Sequence, residues 1–132
     1  MDNCVFCKIV EGQIPADRIY ESDRLIAILD AHPVNPGHLL LLSKKHYQTI
    51  DEAEAEVLSE IGSALNELGK RLKTRLGVTG YNICYNNGQV AGQVVPHLHF
   101  HIIPRHPDDN LKLWVGKEYE EGEAAKILNL LK

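Results

Sequence analysis

The chain has 132 residues and a net charge of −4, with 44% hydrophobic and 24% charged residues. That is the size and balance of a single soluble domain, here residues 1–132, whose core needs no disulfide staples. Lys and Arg are scattered, no apolar run approaches the roughly 20 residues of a membrane span, and Met1-Asp2-Asn3-Cys4 lacks the regions of a secretory signal. No nucleic-acid or membrane partner is expected, and the expected compartment is the cytoplasm, where disulfides are uncommon.

Residues 4–12 read as a short helical turn ending at Gly12, with Pro15 stopping its continuation. Arg18–Glu21 reads as a short strand and Ser22-Asp23 as a turn. Leu25–Asp30 is an apolar run of strand length. Pro33, Pro36 and Gly37 mark a loop, and His38–Ser43 is the next strand. Then the period changes. Thr49 and Glu52 have capping-box spacing, and Leu58, Ile61, Leu65, Leu68 and Leu72 form a stripe on a long helix closed by Gly77. Tyr81–Asn86 alternates like a half-buried strand, Asn87-Gly88 is a turn pair, and Gly88, Gly92 and Pro96 punctuate a loop. Residues 122–132 read as a terminal helix. Strands in consecutive pairs plus one long helix predict an α+β fold with an antiparallel sheet.

The most informative run is His97-Leu98-His99-Phe100-His101-Ile102-Ile103. A strand alternates its side chains, so three imidazoles share one face while Leu98, Phe100 and Ile102 face the core. Imidazole serves as base, acid, nucleophile or metal ligand near neutral pH. Near the other end, Cys4 and Cys7 form a C-x-x-C unit. It lies too close to the chain start for a preceding thioredoxin-like strand, so metal is favoured over redox chemistry. With His46 and His97 a Cys2His2 zinc set is available, although no His-x₃₋₅-His answers the cysteines. His99 and His101 then remain for chemistry. A neutral imidazole attacks phosphorus and splits one hard displacement into two easier ones. The transition state spreads negative charge over oxygens, which need donors. The loop Gly88–Gln93 could supply them from backbone N–H groups and from Gln93. A zinc hydrolase with His97, His99 and His101 as ligands, and a nucleotide-binding module without catalysis, stay open as alternatives.

These residues resemble the histidine triad (HIT) family, whose motif is His-φ-His-φ-His-φ-φ with φ apolar. Cys4-x-x-Cys7, Asp30, Asn35-Pro36-Gly37-His38, Lys45-His46, Asn86-Asn87-Gly88, and Gly92-Gln93 through Arg105 extend the likeness over residues 4 to about 107. The resemblance implies a five-stranded antiparallel sheet with one long helix, and a homodimer whose sheets join into ten strands with the long helix at the contact. It implies a hydrolase or transferase of purine nucleotides acting at the α-phosphate of phosphoramidates or dinucleoside polyphosphates. His99 would be the nucleophile, flanked by His101 and His38. Asn86, Gln93 and the backbone N–H of Val94 would hold the α-phosphate or scissile bridge. Asp30 would bind the ribose hydroxyls, and Phe6, Ile9, Ile28 and Leu29 would sandwich the base. Cys4, Cys7, His46 and His97 would hold a structural Zn²⁺, and a polyphosphate substrate would bring Mg²⁺. Where many phosphoramidase members have Ser or Thr after the Gln, this chain has Val94. The tail from about residue 108 lies beyond the likeness. Its Trp114 reads as a core or dimer contact, with His32 and His106 as surface residues.

Overall fold

The computed structural model describes residues 3–132. Helix α1 (Val5–Val10) is followed by strands β1 (Arg18–Glu21), β2 (Leu25–Leu29) and β3 (Leu39–Ser43), helix α2 (Ala55–Leu76), strands β4 (Gly80–Cys84) and β5 (His99–Arg105), and helix α3 (Glu123–Leu131). The sheet order is β1-β2-β3-β5-β4 and every neighbouring pair is antiparallel. This is the five-stranded α+β architecture expected from the sequence. No helix among the described residues is long and apolar enough to cross a membrane.

Alternation along the strands divides the interior into two cores. Leu25, Ala27, Leu39, Leu41, Leu98, Phe100 and Ile102 pack with Val57, Ile61, Ala64, Leu68 and Leu72 of α2. On the opposite face Ile26, Ile28, Leu40 and Leu42 pack with Phe6 and Ile9 of α1. Fully burying an aliphatic side chain of this size contributes ~1.5–3 kcal/mol, so the α2 face holds most of the stability. The α1 face is thinner, which leaves room there for a ligand.

Several boundaries differ from the sequence expectation, each for a local reason. The Thr49 hydroxyl does cap a helix, but it accepts from Asp51 N–H in a single 3-10 turn, Ile50–Glu52. The long helix starts after Glu54, and Leu58 sits on its exposed side. The buried stripe instead runs through Val57, Ile61, Ala64, Leu68 and Leu72. Gly77 closes the helix in a left-handed conformation, as its position implies. His97 precedes β5, and Asp30, His38 and Asn86 lie just outside the strands expected to contain them. Gly37 sets the entry to His38: its φ is +93°, and a Cβ there would lie 2.6 Å from Leu76 Cδ1.

Candidate active site and metal centre

The β3–β5 register places His101 opposite Leu40 and His99 opposite Leu42, on the α1 side of the sheet. In front of them opens a cavity of about 990 Å³. Among its walls are Phe6, Ile9, Ile28, Leu29, Asp30, Asn86, Val94, His99 and His101, so nine of the residues singled out from sequence meet in one space. His38 is buried behind it, and Gln93 is buried in the adjoining loop.

Hydrogen bonds fix the tautomers of the central imidazoles. His99 Nδ1 is 2.6 Å from the carbonyl oxygen of His97. A carbonyl only accepts, so Nδ1 carries the proton and Nε2 keeps its lone pair. The second chain begins at the backbone N–H of Val34, which donates to His38 Nδ1 at 3.0 Å. His38 therefore carries its proton on Nε2, 2.9 Å from His101 Nδ1 and 3.5 Å from Asp30 Oδ2. Donation from His38 to His101 leaves the His101 proton on Nε2. The site thus holds one imidazole with a free lone pair and one with an N–H to give. Burial pushes the pKa of all three rings below the ordinary 6.5. For His101, burial acts with the neighbouring His99 and His38 to bring it to about 4.

The loop before β5 is built differently from a phosphate nest. Gly88 N–H donates to the Gln93 side chain, and the N–H groups of Ala91, Gly92 and Gln93 bond to carbonyls within the loop. Both amide hydrogens of Gln93 go to the Gln48 and Val95 carbonyls. Gln93 is thus a brace in this geometry, and the N–H of Val94 has no partner among the described residues. Val94 itself is exposed on the cavity wall.

Cys4, Cys7, His46 and His97 form a compact cluster whose donor atoms all lie within 4.8 Å of one another. His97 Nε2 donates to the Ser43 carbonyl at 2.7 Å, which leaves Nδ1 with a lone pair. That Nδ1 is 3.3 Å from Cys4 Sγ and 3.2 Å from His46 Nδ1, and Cys7 Sγ is 3.2 Å from His46 Nδ1. Two thiols and two imidazole nitrogens facing inward, one ring fixed from behind by a carbonyl, is a donor set that fits tetrahedral zinc. Asp30, His38 and His101 also bring three donor atoms together. Their shared protons make them a hydrogen-bonded relay, since His38 Nε2 is not free to ligate. No cluster among the described residues combines His97, His99 and His101.

The family model for the HIT domain matches residues 11–108. The chain belongs to the histidine triad family. That match begins after Cys4 and Cys7, so half of the Cys4, Cys7, His46 and His97 cluster lies outside it. An uncharacterised HIT-like protein of Methanocaldococcus jannaschii is 48% identical over 80% of this chain and 81% of its own length. An adenosine 5'-monophosphoramidase of Schizosaccharomyces pombe is 39% identical over 86% of the chain and 82% of its own. A zinc-bound HIT family protein from Mycobacterium smegmatis superposes with a TM-score of 0.80, at 31% identity over 99% of both chains.

Sequence reading of this HIT chain missed part of the cavity. Ile14, Pro15, Ala16, Asp17, Ala31 and His32 also line it. His32 follows Asp30 by two residues and its N–H donates to Asp30 Oδ1 at 2.9 Å. A carboxylate placed at a strand end carries its loop neighbours to the same opening, and that was the available signal. His106 is exposed and away from the cavity wall. Cys84 is half-buried opposite His101, less enclosed than a core cysteine. Trp114, 95% exposed, is no core contact of its own chain.

Proposed function

We propose that the protein hydrolyses purine nucleotides substituted at the α-phosphate, through a covalent nucleotidyl-His99 intermediate. The observation that carries this reading is the pairing of tautomers: His99 presents a lone pair to a cavity into which His101 presents a proton. Relatives named adenosine 5'-monophosphoramidase support the nucleotide class.

In the first step His99 Nε2 forms a bond to the α-phosphorus, and the bond from phosphorus to the leaving group breaks. The leaving group takes its proton from water, while neutral His101 keeps its Nε2–H as a hydrogen-bond donor. The His101 N–H, Asn86 and the Val94 N–H would donate to the phosphoryl oxygens as they gather charge. Positive charge on the modified ring is spread toward the His97 carbonyl through Nδ1–H. Water then attacks phosphorus, the P–N bond breaks, and the nucleoside monophosphate leaves. Asp30 would hold the ribose hydroxyls while Phe6, Ile9, Ile28 and Leu29 enclose the base. His38 fixes the ring orientation of His101 and is a positioning residue.

Cys4, Cys7, His46 and His97 would hold zinc as a structural ion, which when bound supplies cross-linking between α1 and the start of β5. No proton or phosphoryl transfer depends on it. Mg²⁺ would enter only with a polyphosphate substrate. The working form would be a cytoplasmic homodimer whose sheets join beside the long helix, with the exposed tail adding apolar contact.

The experiment is rapid quenching with adenosine 5'-phosphoramidate or diadenosine tetraphosphate, followed by intact-protein mass spectrometry. A nucleotidyl adduct on wild type and none on His99→Ala, with product formation abolished in the variant, is the expected result. Undiminished turnover by His99→Ala would overturn it.

A further inference from the structure

The cavity has no Lys or Arg in its walls, and its charged residues are Asp17 and Asp30. Asp30 already has protein partners, one oxygen accepting the His32 N–H and the other facing His38, and its remaining lone pairs are those assigned to the ribose hydroxyls. The Asp17 side chain has no hydrogen bond or ion pair among the described residues. Its backbone is anchored, since the Leu29 N–H donates to the Asp17 carbonyl at 3.0 Å. Asp17 therefore stands at a fixed place on the wall with a carboxylate free to accept.

Sheet order gives its distance from the chemistry. Asp17 leads into β1, and His99 and His101 are on β5, three strands away in the order β1-β2-β3-β5. At ~4.8 Å per strand spacing that is roughly 14 Å, the reach of an extended nucleoside monophosphate. With phosphorus at His99 and ribose at Asp30, the base would lie along Ile9, Ile14 and Ile28, which line the same cavity, and its far edge would arrive at Asp17.

We infer that Asp17 reads the Watson–Crick edge of the base and makes this protein prefer guanine to adenine. The inference rests on the nucleotide reading of the same cavity. A carboxylate has two acceptor oxygens and no donor. Guanine offers N1–H and N2–H side by side, so both oxygens are satisfied. Adenine offers one N–H, from N6, and turns the N1 lone pair toward the second oxygen. Solvent competes at this exposed position, which puts the discrimination at the low end for a bidentate pair, about tenfold.

The test is calorimetric binding of guanosine and adenosine 5'-monophosphate to wild type and Asp17→Asn, with a thermal melt confirming that both fold alike. Asn keeps the size and gives one acceptor and one donor, a match for adenine N1 and N6–H. The expected result is about tenfold tighter guanosine monophosphate binding by wild type, lost or reversed in the variant. Equal affinities for wild type, or a guanine preference unchanged by Asp17→Asn, would overturn the inference and leave the nucleotide site standing. Binding of neither nucleotide would overturn the nucleotide reading as well.

Discussion

His97 and His99 are joined by a hydrogen bond of 2.6 Å from the Nδ1 of His99 to the His97 carbonyl oxygen. The ring of the same His97 faces Cys4, Cys7 and His46. One residue thus gives its side chain to the cluster and its backbone carbonyl to the His99 ring. The tautomers that follow are directly observable. In ¹⁵N-edited NMR at pH 7.5, His99 should show the Nδ1–H form while His38 and His101 show Nε2–H. An Nε2–H form at His99 would remove the lone pair from the cavity and sink the nucleophile assignment.

The candidate zinc cluster gives the second prediction. Cys7→Ser should lower bound zinc, measured by elemental analysis, from one per chain to well below one. It should also reduce the melting temperature by roughly 10 °C, the shift that ~3 kcal/mol gives a domain of this size. The loss arises because α1 and the start of β5 are no longer tied. Zinc content and melting temperature unchanged by the substitution would remove the cluster from the metal's binding set.

Much of this site was readable because it depends on alternation. His99, His101 and their core-facing neighbours Phe100 and Ile102 need only the two-residue period of a strand. The grouping of Cys4, Cys7, His46 and His97 was available from residue type, and the resemblance to the HIT family singled it out as a candidate zinc set. What periodicity could not give was hydrogen-bond direction: Gln93 looks like a donor to phosphate, yet its amide is spent on Gln48 and Val95. Asp17 and His32 reach the cavity through loop paths, for which no period exists. The start of α2 was displaced because a capping signal marks any helical turn, and here it marked a 3-10 turn.

Acid should act through His38 and His101. Both are held below 6.5 mainly by burial, His101 at about 4 with help from neighbouring imidazoles, while Asp30 opposes the effect at each. The folded state binds these protons less readily than the unfolded chain. Their contribution to stability is full above pH 6.5 and is lost progressively as pH falls toward 4. The relay needs His38 and His101 neutral, so kcat should stay level from pH 8 to near 6 and fall well below that. A kcat that halves at an apparent pKa of 7 would show that these rings titrate like exposed histidines.

Gly69 tests the α2 face. It is buried in the middle of the helix, and a Cβ there would collide with the Tyr81 hydroxyl oxygen and the ring carbon that bears it. Helix propensity alone favours Gly69→Ala by ~1 kcal/mol. The clash with a ring packed on the core outweighs that, since overpacking costs ~1–3 kcal/mol. Denaturant unfolding should therefore show Gly69→Ala destabilised by about 1 kcal/mol. In a Tyr81→Ala background the same substitution should become stabilising, as the ring it meets is gone. A stabilising Gly69→Ala in the native background would mean that Tyr81 swings aside without loss.

The tail supplies the last prediction. Leu113, Trp114, Val115 and Tyr119 are each at least 66% exposed, and α3 buries no residue of its own. Such a stretch of apolar surface on one chain is costly in water and marks a contact surface. Sedimentation equilibrium should give twice the 14.8 kDa chain mass. Truncation after Asn110 should shift the mass toward one chain while the far-ultraviolet signature of α2 and the sheet persists, because the two cores contain no tail residue. Trp114 fluorescence should move to longer wavelength on dilution through the dimer dissociation range. A full-length chain that sediments as a monomer at all concentrations would rule out the tail as a contact between copies.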